Sequence, residues 1–356
     1  MVEMADIFRR YRAEYLRKFG SRILPSHRRA MDDIIACRTP ALGGNLYSCP
    51  SCGKQRYSYH SCGNRHCPKC GNDDATLWVD RQSSRIPEVP CFLLTFTLPH
   101  ELNGLVRSNQ KDCYHLLFSA SSNSVKKLAA DPRHLGAQPG MLGVLHTWGR
   151  DLSYHSHVHY LIPGGGIDEN GKWVWTPYEK FFLPVRALSP IYRGKFRDGL
   201  KALGLHDAVP EAVWKKDWVV HCEPAGRGPE AIRYLSRYIY RVAITNSRII
   251  SLRDGRVTFR YQPVGTKDWK LMTLPVLVFM ARFLQHVLPK GFCKVRYYGF
   301  LHQRCAEKLK ALREQLGLPP PQLPECKPRT CYCPHCGTAL ESVVSLQRLR
   351  APPCVA

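Results

Sequence analysis

His155-Ser156-His157-Val158-His159-Tyr160-Leu161-Ile162 alternates polar and apolar side chains, then runs apolar into Pro163-Gly164-Gly165-Gly166. That pattern is a β-strand stopped by a turn signal. Alternation sends all three histidines to one face and Val158 and Tyr160 to the other. Neighbours on one face lie roughly 7 Å apart, close enough for two imidazoles to share a metal ion. His155 and His159, roughly 13 Å apart, are too distant to do so on a regular strand. A site here uses one adjacent pair and takes further ligands from elsewhere in the chain.

Outward from this stretch, Gly140 to Trp148 and Cys91 to Leu98 read as further strands, the second closed by Pro99. Helical periodicity marks residues 109 to 130, 188 to 203, 228 to 242, 275 to 288 and 301 to 316. Residues 1 to 36 also read as helical, with Phe8, Tyr11, Tyr15 and Phe19 at spacings of three and four, and a helix is expected from about Ala75 to Arg85. Asp254-Gly255, between Ile249 and Tyr261, is a two-residue hairpin turn. Leu318 to Pro324 holds four prolines in seven residues and reads as a linker.

The chain has 356 residues and a formal charge of +24. Lys and Arg outnumber Asp and Glu by 15 to 8 over residues 1–85, 20 to 14 over 86–250 and 17 to 6 over 251–356, so the excess is not a detachable tail. A polyanion touching the whole molecule is the simplest partner, and nucleic acid is the usual one. No apolar run reaches the ~18 residues of a membrane span, and Met1 to Arg12 lacks the apolar core of a signal peptide. The expected setting is the reducing cytoplasm, where 16 cysteines favour metal over disulfides.

Cys49-Pro-Ser-Cys52-Gly and Cys67-Pro-Lys-Cys70-Gly are two CxxC knuckles separated by fourteen residues. Their spacing is that of a ribbon holding one tetrahedral zinc on Cys49, Cys52, Cys67 and Cys70. Cys37, Cys62 and His66 crowd the same segment and either ligate a second ion or serve as core residues. Near the end, Cys326, Cys331, Cys333 and Cys336 offer another zinc site, for which His335 and Cys305 are substitutes.

Arg233-Tyr234-Leu-Ser-Arg237-Tyr238-Ile-Tyr240-Arg241 places Tyr234 and Tyr238 one helical turn apart, beside a stripe of Arg233, Arg237 and Arg241. Guanidiniums that hold phosphate oxygens beside two phenols match a phosphodiester substrate. The same helix could equally pack its tyrosines and solvate its arginines.

A Phe-Thr-rich strand, a His-x-His strand and a Tyr-x3-Tyr helix, in this order, resemble the three-part signature of the HUH single-strand endonucleases. More narrowly, the chain resembles the two-tyrosine rolling-circle transposases of bacterial insertion sequences, the family numbered ninety-one. The likeness runs nearly end to end: Cys37-Arg-Thr39, Ser61-Cys-Gly-Asn-Arg-His-Cys-Pro-Lys-Cys70, Phe96-Thr-Leu-Pro-His-Glu-Leu102, Leu145-His-Thr-Trp-Gly149, Phe181-Phe-Leu-Pro-Val185 and Arg282-Phe-Leu-x-His-Val-Leu-Pro-x-Gly-Phe292 all belong to it. Ser156 stands where relatives often carry proline.

The resemblance implies His157 and His159 as ligands of a catalytic Mg²⁺ or Mn²⁺, with Zn²⁺ also compatible. It implies a third ligand from a neighbouring strand: His146, with His155 the alternative. Tyr234 and Tyr238 become nucleophiles that form a 5′-phosphotyrosine on single-stranded or hairpin DNA ends, with a host helicase as a further partner. The implied fold is α+β: an HUH nuclease domain with a central antiparallel sheet and helices on one face, plus an N-terminal zinc ribbon with helices. Expected boundaries are 1–85 for the zinc-binding DNA-recognition domain, 86–250 for the nuclease, 251–317 for a basic region and 318–356 for the linker and Cys-rich end. The rival readings are a plasmid replication initiator or relaxase with the same chemistry, and a zinc-dependent DNA-binding protein without activity.

Overall fold

The computed structural model describes residues 2–71, 78–79, 82–83, 85–239, 242–263, 265–319 and 330–348, with the side chains of 237–239 excepted. Part of the expected helix over 75–85 and most of the proline linker lie outside these residues, as do Cys326 and Arg241; residues 78–79 and 82–83 are helical.

In chain order, α1 (Met4–Phe19), α2 (Pro25–Ala36), β1 (Gly44–Ser48) and β2 (Gln55–Tyr59) come first. They are followed by β3 (Pro90–Thr97), α3 (Asn103–Ser108), α4 (Gln110–Ala129), β4 (Gln138–Pro139), β5 (Met141–Trp148) and β6 (Tyr154–Pro163). Next are β7 (Gly165–Ile167), β8 (Trp173–Trp175), α5 (Val185–Ala202), α6 (Ala212–Lys215), β9 (Val220–Arg227) and α7 (Gly228–Ile239). The last are β10 (Ile249–Arg253), β11 (Arg256–Tyr261), β12 (Lys270–Pro275), α8 (Val276–Leu284), β13 (Val295–Tyr298), α9 (Ala306–Gln315) and β14 (Glu341–Leu346).

These elements form two compact units, and the four consecutive segments expected from the sequence are interleaved. One unit joins Met1–Asp73, Val242–Val287 and Pro324–Ala356; the other joins Asp74–Arg241 and Leu288–Leu323. The physical reason is long-range strand pairing: β14 pairs with β1, and β13 with β5.

The second unit is built on a five-stranded antiparallel sheet in the order β13-β5-β6-β3-β9. Phe92, Leu94, Phe96, Val158 and Tyr160 point to one face, which α4 and α5 cover with Tyr114, Leu117, Phe118, Tyr192 and Phe196. Phe96 meets Tyr192 edge-on at 5.0 Å, and the buried Tyr160 hydroxyl bonds Ser121 at 2.8 Å. Gly143 makes room here, since a Cβ would stand 2.6 Å from the Tyr160 ring. Leu93, Leu142, Val144 and Leu161 point to the other face, under Ala231, Ile232 and Leu235 of α7 and Leu309 and Leu312 of α9. Helices thus cover both faces, not one. Runs such as Leu93-Leu94 and Leu161-Ile162 are apolar on both sides and need cover on both.

In the first unit, α1 opens with a reciprocal cap in which Glu3 and Asp6 bind each other's backbone, and α2 opens on Pro25, whose missing N–H costs nothing there. The predicted hairpin closes at Asp254 (φ 50°) and Gly255 (φ 68°), the left-handed pair a two-residue turn requires. One face of the β10-β11-β12 meander packs on α8 through Phe259 and Phe279, and α8 meets α1 through Phe283 and Phe8. No helix of the described residues is long and apolar enough to cross a membrane.

Candidate active site and metal centres

On the α7 side of the sheet, register places His146 opposite His157, and His159 opposite Thr95. The structure brings His146, His157 and His159 together, each offering a ring nitrogen within 4.8 Å of the others. Ring centroids lie 4.8 Å apart for His157 and His159, and 5.4 and 5.1 Å from His146 to each. His155 is exposed and is not among the three, although its ring lies 4.9 Å from that of His157.

Two hydrogen bonds orient the rings. The Nδ1–H of His157 donates to the His155 carbonyl at 2.8 Å, and Nδ1 of His159 lies 2.8 Å from the Thr95 hydroxyl. Each bond engages Nδ1 and leaves Nε2 as the nitrogen that could ligate. His146 stacks on Trp148 at 4.9 Å. Burial pushes His157 down to about 4 and His159 well below its usual value, so these imidazoles are neutral at pH 7 and able to ligate. Three imidazole nitrogens fit a borderline divalent cation, Mn²⁺ or Zn²⁺, better than Mg²⁺, which prefers oxygen. Thr95 was visible in the sequence only as one residue of a strand; its role emerges from the pairing of β3 with β6.

Helix α7 crosses the same face and touches β3, β5, β6 and β9. Its apolar side faces the sheet, and Tyr234 stands at the border of that side, half-buried. The Tyr234 hydroxyl donates to Oε1 of Glu223 on β9 at 3.1 Å, and Oε2 of Glu223 lies 3.4 Å from Nε2 of His221. His221 is paired in register with Thr95. Arg233 is exposed, and the phenol of Tyr234 meets a carboxylate. The backbone of Arg237 and Tyr238 continues α7, while their side chains lie outside the described residues. Beside His155, a cleft of about 260 Å³ is bordered by Thr97, His100, Lys216 and Trp218.

The cysteines form two groups, and neither is the ribbon site the spacing suggested. Cys49 and Cys52 join Cys333 and Cys336; Cys67 and Cys70 join Cys37 and Cys62. Sulfurs stand 3.4 Å apart for Cys49 and Cys336, and 3.6 Å for Cys52 and Cys333 and for Cys62 and Cys70. A tetrahedral zinc with bonds of 2.3 Å sets its thiolates about 3.8 Å apart, so both groups have the dimensions of a zinc site. The cause of the exchange is β14, which pairs antiparallel with β1 and carries the C-terminal knuckle to Cys49 and Cys52. The two knuckles share one turn: Gly53 N–H donates to Cys49 and Gly337 N–H to Cys333, with both glycines left-handed. His66 and Cys331 belong to neither group.

The chain is similar to known transposases. A family model described as "Putative transposase" matches residues 140–308, and one described as "Transposase zinc-binding domain", of the IS91 type, matches 7–98. The chain is 40% identical to the "Putative transposase y4qJ" of Sinorhizobium fredii, over 90% of this chain and 85% of that protein. It is 30% identical to the "Transposase for insertion sequence element IS801" of Pseudomonas savastanoi pv. phaseolicola, over 81% of this chain and 73% of that one. No solved structure matches.

Proposed function

We propose that this chain, which belongs to the IS91 family of insertion-sequence transposases, cuts and rejoins single-stranded DNA through a 5′-phosphotyrosine link on an HUH-type nuclease fold. The observation that carries the reading is the sharing of one sheet face by the imidazoles of His146, His157 and His159 and by the helix bearing Tyr234.

A cation held by the three imidazoles would draw charge from a non-bridging phosphate oxygen. Glu223 accepts the phenolic proton as the Tyr234 oxygen attacks phosphorus in line. The bond from phosphorus to the 3′ oxygen breaks, and that oxygen takes a proton from water. The new tyrosyl ester keeps the energy of the broken one. A 3′-hydroxyl attacking it later restores a phosphodiester and returns the proton to the phenolate. Tyr238, one turn further along α7, would serve a second cut, so that one chain holds two ends. The substrate is an unpaired strand or hairpin at the element's end, and a host helicase is the partner such a substrate calls for.

The test is incubation with single strands bearing the element's ends, labelled at 5′ or 3′, with Mn²⁺, with Mg²⁺ or without metal. A covalent adduct that keeps the 3′ label while the 5′ label leaves on a shorter strand supports the reading. A mobility shift with no adduct under any metal would overturn it in favour of a DNA-binding protein without nuclease activity. An adduct confined to a plasmid origin would point to a replication initiator or relaxase.

A further inference from the structure

We infer that the open face of the β10-β11-β12 meander is a platform for single-stranded DNA. The inference uses family membership only for the premise that the protein acts on DNA; it is independent of the tyrosine chemistry.

Val257 and Phe259 bury one face of the meander, and Phe259 meets Phe279 of α8. Strand register puts Arg253, Arg256 and Pro275 in one row of the other face, Ser251, Thr258 and Thr273 in the next, and Arg260 and Leu271 in a third. Thr258 and Thr273 bridge their hydroxyls at 2.8 Å and hold the middle row flat. At the end of this face the Arg260 guanidinium lies 4.8 Å over the ring of Trp269. Trp269 is 54% exposed and Leu271 68%.

Large apolar side chains left in water beside cations mark an interaction surface. Ile249 to Pro275 contains five Lys and Arg against two Asp. Among the described residues, no carboxylate pairs with Arg253, Arg256 or Arg260. The occupant is therefore anionic and carries flat apolar groups. A single strand has both: phosphates for Arg253 and Arg256, and unstacked bases for Trp269 and Leu271. A duplex offers phosphates but keeps its bases stacked, so it leaves Trp269 and Leu271 without partners. Arg260 occupies one side of the indole and stiffens it, leaving the exposed side for a base.

The experiment is fluorescence anisotropy of the zinc-loaded full chain with labelled oligothymidine, alone and annealed to oligoadenosine, across a salt series. Trp269→Ala should weaken oligothymidine binding roughly fivefold to a hundredfold, with most of it retained by Trp269→Phe. Arg253→Gln with Arg256→Gln should lower the single-strand salt slope by about 1.4. Leu271→Glu, at a side chain that supports no core, should weaken binding as well, and it carries the test should Trp269→Ala lose its zinc or its circular dichroism. Unchanged oligothymidine affinity in all of these, or a loss confined to the duplex, overturns the inference. Tyr234→Phe with Tyr238→Phe tells the two readings apart: it removes the adduct proposed above without altering anisotropy, whereas the meander variants alter anisotropy and still form adduct at saturating strand.

Discussion

The Tyr234 hydroxyl rests on the Glu223 carboxylate at 3.1 Å, and the other carboxylate oxygen lies 3.4 Å from His221. A phenol with a reference pKa of about 10 is a poor nucleophile until its proton is taken. A carboxylate in contact is the acceptor nearest to hand, whereas the arginines of the same helix, which would ease ionisation by charge alone, include the exposed Arg233.

Glu223→Gln keeps a side-chain oxygen to receive the hydroxyl and removes the basicity. Adduct formation in a single turnover should slow by about a hundredfold to ten-thousandfold, the usual range for a lost general base. Strand affinity should not change. An adduct rate equal to that of the parent protein removes Glu223 from the proton's path.

Tyr234→Phe deletes one oxygen and leaves the ring packed beside Leu235 and Ile232. The adduct should vanish from the first cleavage, and peptide mapping of the parent adduct should return the segment carrying Tyr234. With Tyr238→Phe added, no adduct should form on any strand. A persistent adduct in the double variant would place the nucleophile elsewhere.

Thr95→Val preserves strand propensity and side-chain volume and removes the hydroxyl that orients His159. Loss of such an outer partner weakens metal binding by about 10- to 100-fold. Titration of Mn²⁺ into zinc-loaded protein reads this directly, and His159→Ala should abolish the same binding. Equal Mn²⁺ affinity in Thr95→Val would mean the ring is held by packing alone.

Replacing Phe96 by Ala tests the scaffold. Phe96 is fully buried between Tyr160 and Tyr192, and its loss should cost about 3–5 kcal/mol, read from denaturant midpoints. The imidazoles sit on the opposite side of the same sheet, so adduct yield should fall only as far as the folded fraction falls.

What the sequence revealed here is what local periodicity encodes. The histidine strand, the flanking strands and the turn at Asp254-Gly255 all follow from patterns a few residues long. The second apolar face was also written in the runs Leu93-Leu94 and Leu161-Ile162, yet the alternation in His155 to Tyr160 drew attention to one face. Pairings across the chain were hidden. Thr95 becomes a partner of His159 only when β3 lies beside β6, and Glu223 meets Tyr234 only because the chain reverses through Gly226 and Gly228, both left-handed, where β9 gives way to α7. The zinc ligands show the limit most clearly. Each CxxC turn is local and legible; which two turns share an ion is decided by strand pairing about 300 residues apart in sequence, Gly44 with Leu346 at its end.

That pairing yields a sharp prediction about metal content. If Cys333 and Cys336 complete the site of Cys49 and Cys52, then Cys333→Ser with Cys336→Ser should lower the zinc held by cysteines from two ions per chain to one. A ribbon of Cys49, Cys52, Cys67 and Cys70 would keep its zinc in the same variant. The remaining ion, on Cys37, Cys62, Cys67 and Cys70, should then be lost on adding Cys62→Ser. Zinc in such sites contributes on the order of 10–16 kcal/mol of apparent binding energy, which here would clamp β14 to β1. The double serine variant should therefore expose residues 330–348 to limited proteolysis while the five-stranded sheet stays resistant. Metal analysis showing two ions retained would return Cys49 and Cys52 to other partners.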